Sequence, residues 1–372
     1  MRFDSVTLRE IALDLIAPFE TSFGRTTERR IILVEAQAGG VSGWGECVAS
    51  EGPFFNEEFT DGAWEVIRQF VIPRLVDVEI DDPEAVSDAL APIRGNRMAR
   101  AAVETAAWDL VARHRGLPLW RMLGGSRQTI DCGVSIGLQP STEALIEKVR
   151  RELASGYRRI KIKIARGRDV ALVAAVRDRF GDIVLSVDAN SAYTLADLDT
   201  LEELDQFGLL MMEQPLRPGD LIDHAKLQAR LSTAICLDES VVDDESCRQA
   251  LEIGACRIVN IKLGRVGGHA EARRIANRCA DAGVPVWCGG MLEAGIGRMH
   301  NAAMSSLGPF TLPGDVSDSR RYWLDDIVEP RPTVEPDGAM RLPELPGIGV
   351  SIRRERIEAL TKRQWTWERA SA

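Results

Sequence analysis

The sequence predicts an α/β protein in two parts, an α+β module followed by a parallel β/α barrel. Three observations predict it. Strands are grouped ahead of helices in the first 125 or so residues. Short apolar strands then alternate strictly with helices, and charged residues recur at the strand ends about every 25 residues.

In the first part, residues 2–16 and 30–37 alternate in the manner of strands, and GWGEC at 43–47 continues that sheet. Helical periodicity follows at 57–76, 82–93 and 97–115, the last ending at Gly116 and Pro118. After residue 125, strands are expected at 131–136, 159–164, 182–188, 208–213, 234–238, 257–262, 284–289 and, in a short FTLP, 310–313. Helical stretches such as TEALIEKVRRELASG lie between them, with Gly156 suited to a helix C-cap. Eight strands with crossovers point to a closed barrel, though only seven helices separate them. The irregular tail beyond 320 is expected to pack back on the first module. The expected division is therefore 1–125, completed by 321–372, and 126–320.

Composition narrows the function. The 372 residues are 45% hydrophobic and 27% charged, which is ample for a large core. A net charge of −10 argues against nucleic-acid or anionic-membrane partners, which need a basic surface. Seven scattered cysteines include no C-x-x-C pair, so a zinc ribbon is not expected and reduced, buried thiols are. MRFDSVTLREIALDL lacks an apolar h-region, and no run approaches the roughly 18 apolar residues of a membrane span. The reading is a cytoplasmic enzyme.

The functional signal is a ladder: Lys163, Asp188, Glu213, Asp238 and Lys262, separated by 25, 25, 25 and 24 residues. Each lies at or within a residue or so of the C-terminal end of a predicted strand, on the face where barrel active sites form. Singly, such an Asp reads as a helix cap and such a Lys as a solvated rim residue. Together, three acids converging on one rim repel unless a cation holds them. Oxygen ligands on rigid strands suit Mg²⁺ better than zinc, and Mn²⁺ or another divalent ion can substitute. His114, His224, His269 and His300 all fall in predicted helices, which disfavours a histidine base. Lys161 and Lys163 alternate in one strand and point the same way, so mutual repulsion is expected to lower one pKa and free an amine as base. Lys262 approaches from the far side. A substrate carboxylate between the lysines would lose its α-proton, with Mg²⁺ offsetting the second negative charge.

The motifs KIK (161–163), DAN (188–190), EQP (213–215), DES (238–240) and NIK (260–262) resemble the muconate-lactonizing subgroup of the enolase superfamily. GGMLEAGIGR (289–298), IKLGRVGG (261–268) and TSFG (21–24) resemble more narrowly the o-succinylbenzoate synthase / N-succinylamino acid racemase family, and PFETSFG and GWGEC extend the likeness over nearly the whole chain. The resemblance implies a modified (β/α)₇β TIM-type barrel with an N-terminal α+β capping domain. It implies Asp188, Glu213 and Asp238 as Mg²⁺ ligands and Lys163 and Lys262 as the acid/base pair. Ser135, Lys161, Asn190, Asn260, Gly290, Met291, Glu293 and Ile296 would contact substrate. Phe19 and Phe23, beside Gly24, would form a lid, with core residues of the cap as the other reading of the phenylalanines. Arg265 would tune Lys262, and Glu239 would support it. A homo-oligomer is expected. Leu263 stands where the family often has proline, and Ala165-Arg166 where Glu-Pro is usual, which bears on substrate preference.

The implied activity is N-succinylamino (N-acylamino) acid racemization, with o-succinylbenzoate synthesis by dehydration in the same site. A dedicated synthase, a muconate cycloisomerase and a dipeptide epimerase are the alternatives. The epimerase pattern D-x-D is here Asp315-Val316-Ser317. From a different class, a Schiff-base aldolase would use either lysine but leaves the three carboxylates without a purpose. A non-catalytic barrel is the third class.

Overall fold

The structure, a computed structural model, describes residues 1–21 and 24–370. The chain opens in a four-stranded antiparallel sheet ordered Thr361–Glu368, Ser5–Thr21, Gly24–Ala38, Val41–Cys47. The first two hairpin strands are longer than the alternation predicts, and the terminal strand pairs Ser5 with Glu368 and Leu8 with Trp365. Both faces of this sheet are covered. Val6, Leu8, Ile32, Val34 and Ala36 pack on the module's own helices, while Ile11, Leu13, Ile31 and Leu33 join the core of the barrel. That double burial explains why the second strand runs through four successive apolar residues, Ile31 to Val34, rather than alternating there.

The helix Arg97–His114 is buried from Met98 to Ala112 except at Arg100. It lies directly on the strand Val41–Cys47, and a Cβ at Gly45 would fall 2.0 Å from the Ala102 carbonyl oxygen. GWGEC therefore needs its glycine for a backbone-to-backbone approach. The helix predicted over 57–76 is instead Thr60–Val66, a π turn Ile67–Val71 and Ile72–Leu75. Pro73 has no N–H to give back to the preceding turn, which widens.

Seven parallel strands follow in unbroken neighbour order: Gly133–Ile136, Arg159–Lys163, Leu185–Asp188, Met212–Glu213, Ile235–Leu237, Ile258–Ile261 and Val286–Cys288. The expected eighth strand is not a ladder strand. The segment 310–314 instead makes single parallel bridges to both edges, Val286 to Phe310 and Cys132 to Gly314. Residues 129–131 leave the barrel to pair with Ala339–Arg341 in the tail. Trp287, fully buried with Met211, Cys236 and Ile258, plugs the barrel interior. All seven cysteines are buried and unbridged. Among the described residues no helix is long and apolar enough to cross a membrane.

Candidate active site

Strand register brings the ladder together. Lys163 stands opposite Asp188, and Asp188 opposite Glu213. Asp238 follows Leu237 at the end of the fifth strand, and Lys262 follows Ile261 at the end of the sixth. Lys163 Nζ donates to Asp188 Oδ2 at 2.6 Å and Lys262 Nζ to Asp238 Oδ2 at 2.7 Å. Lys161, one layer deeper beside Ser135 and Ser186, lies 2.6 Å from Glu213, 2.9 Å from Asp315 and 3.2 Å from Asp188. Asn260 Nδ2 donates to the other oxygen of Glu213 at 2.8 Å.

For Lys161 the electrostatics run opposite to a downward shift. Burial pulls the Lys161 pKa down, but Asp315, Glu213 and Asp188 outweigh it and hold it well above the usual lysine value. Lys262 is likewise raised, because Asp238 and Glu239 overcome burial and the nearby Arg265. Repulsion between Lys161 and Lys163 is therefore not the dominant influence on Lys161: carboxylates are closer and more numerous. Glu213 is pushed up by burial and by the negative charge of Asp188, whereas burial of Asp188 is overcome by Lys163 and Lys161.

Arg265 is buried at 2% exposure rather than solvated at a helix start. Its Nε donates to the Val241 carbonyl at 3.0 Å, and its two Nη groups reach Asp238 Oδ1 and the Asn260 carbonyl. It thus acts on Lys262 mainly by fixing Asp238. Gln214 does similar work: its Oε1 accepts from the Asp238 and Ser240 N–H groups, joining the fourth and fifth strand ends. Backbone strain gathers here. Asn190, Ser191, Gln214 and Leu292 all hold left-handed φ values, between 37° and 64°.

A cavity of about 100 Å³ opens over these groups, lined by Lys163, Lys262, Asn190, Gly290, Met291 and Phe19 among the anticipated residues. Phe19 also meets Tyr322 edge-on at 6.5 Å, so the cap supplies part of the wall. Phe23 lies outside the described residues. Ser135, Lys161, Asn260 and Glu239 are not in the cavity lining. Asn260 and Lys161 sit against the carboxylates, and Glu239 Oε1 accepts from Asn190 Nδ2 at 3.1 Å. Ile296 is fully buried in the barrel core, and Glu293 is 5% exposed. The Met291 N–H, expected to face substrate, is donated to Glu293 Oε1 at 2.8 Å, which also accepts from Asn301. Glu293 therefore shapes the loop.

Sequence reasoning missed Thr21, Thr26, Arg29, Ser50, Phe55 and Leu292, which complete the wall, with Phe55 placing its ring 4.8 Å from Lys262 Nζ. It also missed Arg159 and Asp315, paired at 2.8 Å beneath Lys161. Arg159 could have been read from the strand, since residues 159, 161 and 163 share one face.

The donor set fits a hard divalent cation. Three buried carboxylates reach one rim from consecutive strand ends, without a sulfur or imidazole among them, and the nearby Glu239 Oε2 is buried with no hydrogen-bond partner. Among the described residues no three His, Cys, Asp or Glu side chains close on one point by themselves; ammonium groups hold the carboxylates.

Comparison with known proteins agrees over the full length. Residues 5–124 match the mandelate racemase / muconate lactonizing enzyme N-terminal domain, and residues 144–356 the enolase C-terminal domain-like family. The o-succinylbenzoate synthase of Geobacillus stearothermophilus is 49% identical over 363 residues, covering 97% of this chain and 96% of that protein. The N-succinylamino acid racemase of Thermus thermophilus is 47% identical over 369 residues, 99% of each. A crystal structure of an enolase-superfamily member from Listeria innocua matches with a TM-score of 0.96 at 41% identity, covering 99% of each chain.

Proposed function

The chain belongs to the mandelate racemase / muconate lactonizing enzyme family of the enolase superfamily, and from that premise we propose that it racemizes N-succinyl or other N-acyl amino acids and forms o-succinylbenzoate by dehydration in the same site. Members of the superfamily use a divalent metal. The observation that carries the proposal is that Lys163 and Lys262, from strands on different sides of the barrel, both line one cavity above Asp188, Glu213 and Asp238.

Asp188, Glu213 and Asp238 would hold Mg²⁺. When bound, that ion supplies the positive charge that offsets the second negative charge left on the substrate carboxylate by proton removal. Lys161, fixed by three carboxylates, remains a cation below the cavity and does not exchange protons. In racemization one of Lys163 and Lys262 takes the α-proton as a neutral amine, and the other, as an ammonium, returns a proton to the opposite face. Asp238, held by Arg265, sets the position of Lys262 Nζ. Cytoplasmic residence and a homo-oligomeric state belong to the same proposal.

One observation favours dehydration as the principal activity. Lys262 Nζ lies 4.8 Å from the centre of the Phe55 ring, which suits a stabilising cation while Lys163 removes the proton and returns it to the departing hydroxide. Incubation in D₂O with N-succinyl amino acids of each configuration separates the two. Racemization predicts α-deuterium and interconversion from both. Retained α-protium in both, with active dehydration, leaves a dedicated synthase.

A further inference from the structure

A second cleft, of about 390 Å³, lies away from the cavity, between the cap helices and the loops that follow the fifth and sixth barrel strands. Arg94, Arg97, Arg100 and Arg274 line it, with Asp88, Asp243 and Glu271. Most of these charges are already matched. Arg97 pairs with Asp243 at 2.7 Å and Arg274 with Glu271 at 2.6 Å. Asp88 and Arg94 are exposed, where water screens them.

Arg100 is different. It is half-buried, no carboxylate lies within ion-pair distance of it among the described residues, and its hydrogen bonding is one 3.4 Å contact from Nη1 to the Leu90 carbonyl. Its Nε is buried without a partner, as is the Nε of Arg97. A guanidinium withdrawn from water without an anion is costly, and five donors in a planar fork are the geometry that oxyanions fit. We propose that this cleft binds a small, multiply charged oxyanion, a phosphate group or a polycarboxylate, with Arg100 as its anchor and Arg94 as the second cation.

The position gives binding a consequence. Arg100 and Arg97 belong to the cap helix Arg97–His114. A Cβ at Gly267 would lie 3.3 Å from Arg100 Nη2, so the guanidinium rests against the turn that carries Arg265. Asp243, the partner of Arg97, caps the helix Asp244–Glu252 beyond Asp238. An anion on Arg100 would clamp the cap helix to the two loops behind Asp238 and Lys262.

The test is thermal unfolding of the Mg²⁺-loaded enzyme with inorganic phosphate or tricarballylate, against chloride at equal ionic strength and constant free Mg²⁺. Binding predicts a rise in Tm of about 2 °C at ten times Kd, absent in Arg100→Met and reduced in Arg94→Ser, with activity in anion-free buffer unchanged. A response to phosphate alone assigns a phosphate group, and one to tricarballylate alone a polycarboxylate. No rise with either, or an equal rise in the variants, overturns the proposal. Should Arg100→Met not fold, Arg94→Ser decides.

Discussion

Replacing Glu46 by glutamine tests how the cap holds the loop over the cavity. Glu46 comes from GWGEC in the first module, is 6% exposed, and accepts from the Ala294 and Gly297 N–H groups at 2.9 and 2.8 Å. Those groups open the helix Gly295–Ser305, directly after Gly290, Met291 and Leu292 in the cavity wall. Burial pushes the Glu46 carboxyl from 4.5 up to about 8, and Glu293 and Asp326 add to it against the two backbone donors. The folded state therefore binds a proton that the unfolded chain releases above 4.5. Stability from this group is complete below 4.5 and is lost as pH rises through about 8. At about 1.4 kcal/mol per pH unit the loss has an upper bound of about 5 kcal/mol. Glutamine sets one amide NH₂ against a backbone N–H, a fixed penalty of about 1–3 kcal/mol at every pH, but removes the titration. Urea unfolding at pH 6 and pH 8.5 reads both effects. The wild type should lose midpoint between the two values, and Glu46→Gln should start lower and change less. Equal slopes in the two proteins would show that Glu46 is ionised throughout and refute the reasoning.

Three further outcomes are expected. Lys163→Ala and Lys262→Ala should each slow racemization about 10²–10⁴-fold, and each should retain α-proton exchange with only one enantiomer, read by NMR in D₂O; loss of exchange with both in either variant contradicts opposed bases. Arg265→Met leaves Asp238 and two backbone carbonyls short of a donor and should lower stability by about 3–5 kcal/mol in urea; a change under 1 kcal/mol would mean the guanidinium is dispensable. Gly268→Ala places a Cβ 2.2 Å from Glu104 Oε2 at a φ of +118°, and should cost about 2–4 kcal/mol and loosen the helix His269–Asp281, visible as faster amide exchange there.

Asp188, Glu213 and Asp238 are legible in the sequence because each closes an apolar strand run, and strand ends of a barrel share one face. The capping sheet is legible in outline, but its strands run on through the polar residues 24–30, whose pairing depends on the facing strand rather than on local pattern. Arg29 hides in that run: nothing local marks it for burial, and the carbonyls of Val48 and Ala49, with Glu51, hold it in the wall. The eighth stave is legible as a strand but not as an irregular bridge, since Pro313 and Gly314 interrupt its ladder. The upward shift of Lys161 escaped because Asp315, distant in sequence, meets it only in the closed barrel.

The most direct test of the central claim is a crystal structure with Mg²⁺ and an N-succinyl amino acid. The account predicts one ion held by Asp188, Glu213 and Asp238, the substrate carboxylate upon it, and Lys163 and Lys262 on opposite faces of the α-carbon. An ion bound elsewhere, or both lysines on the same face, would contradict it.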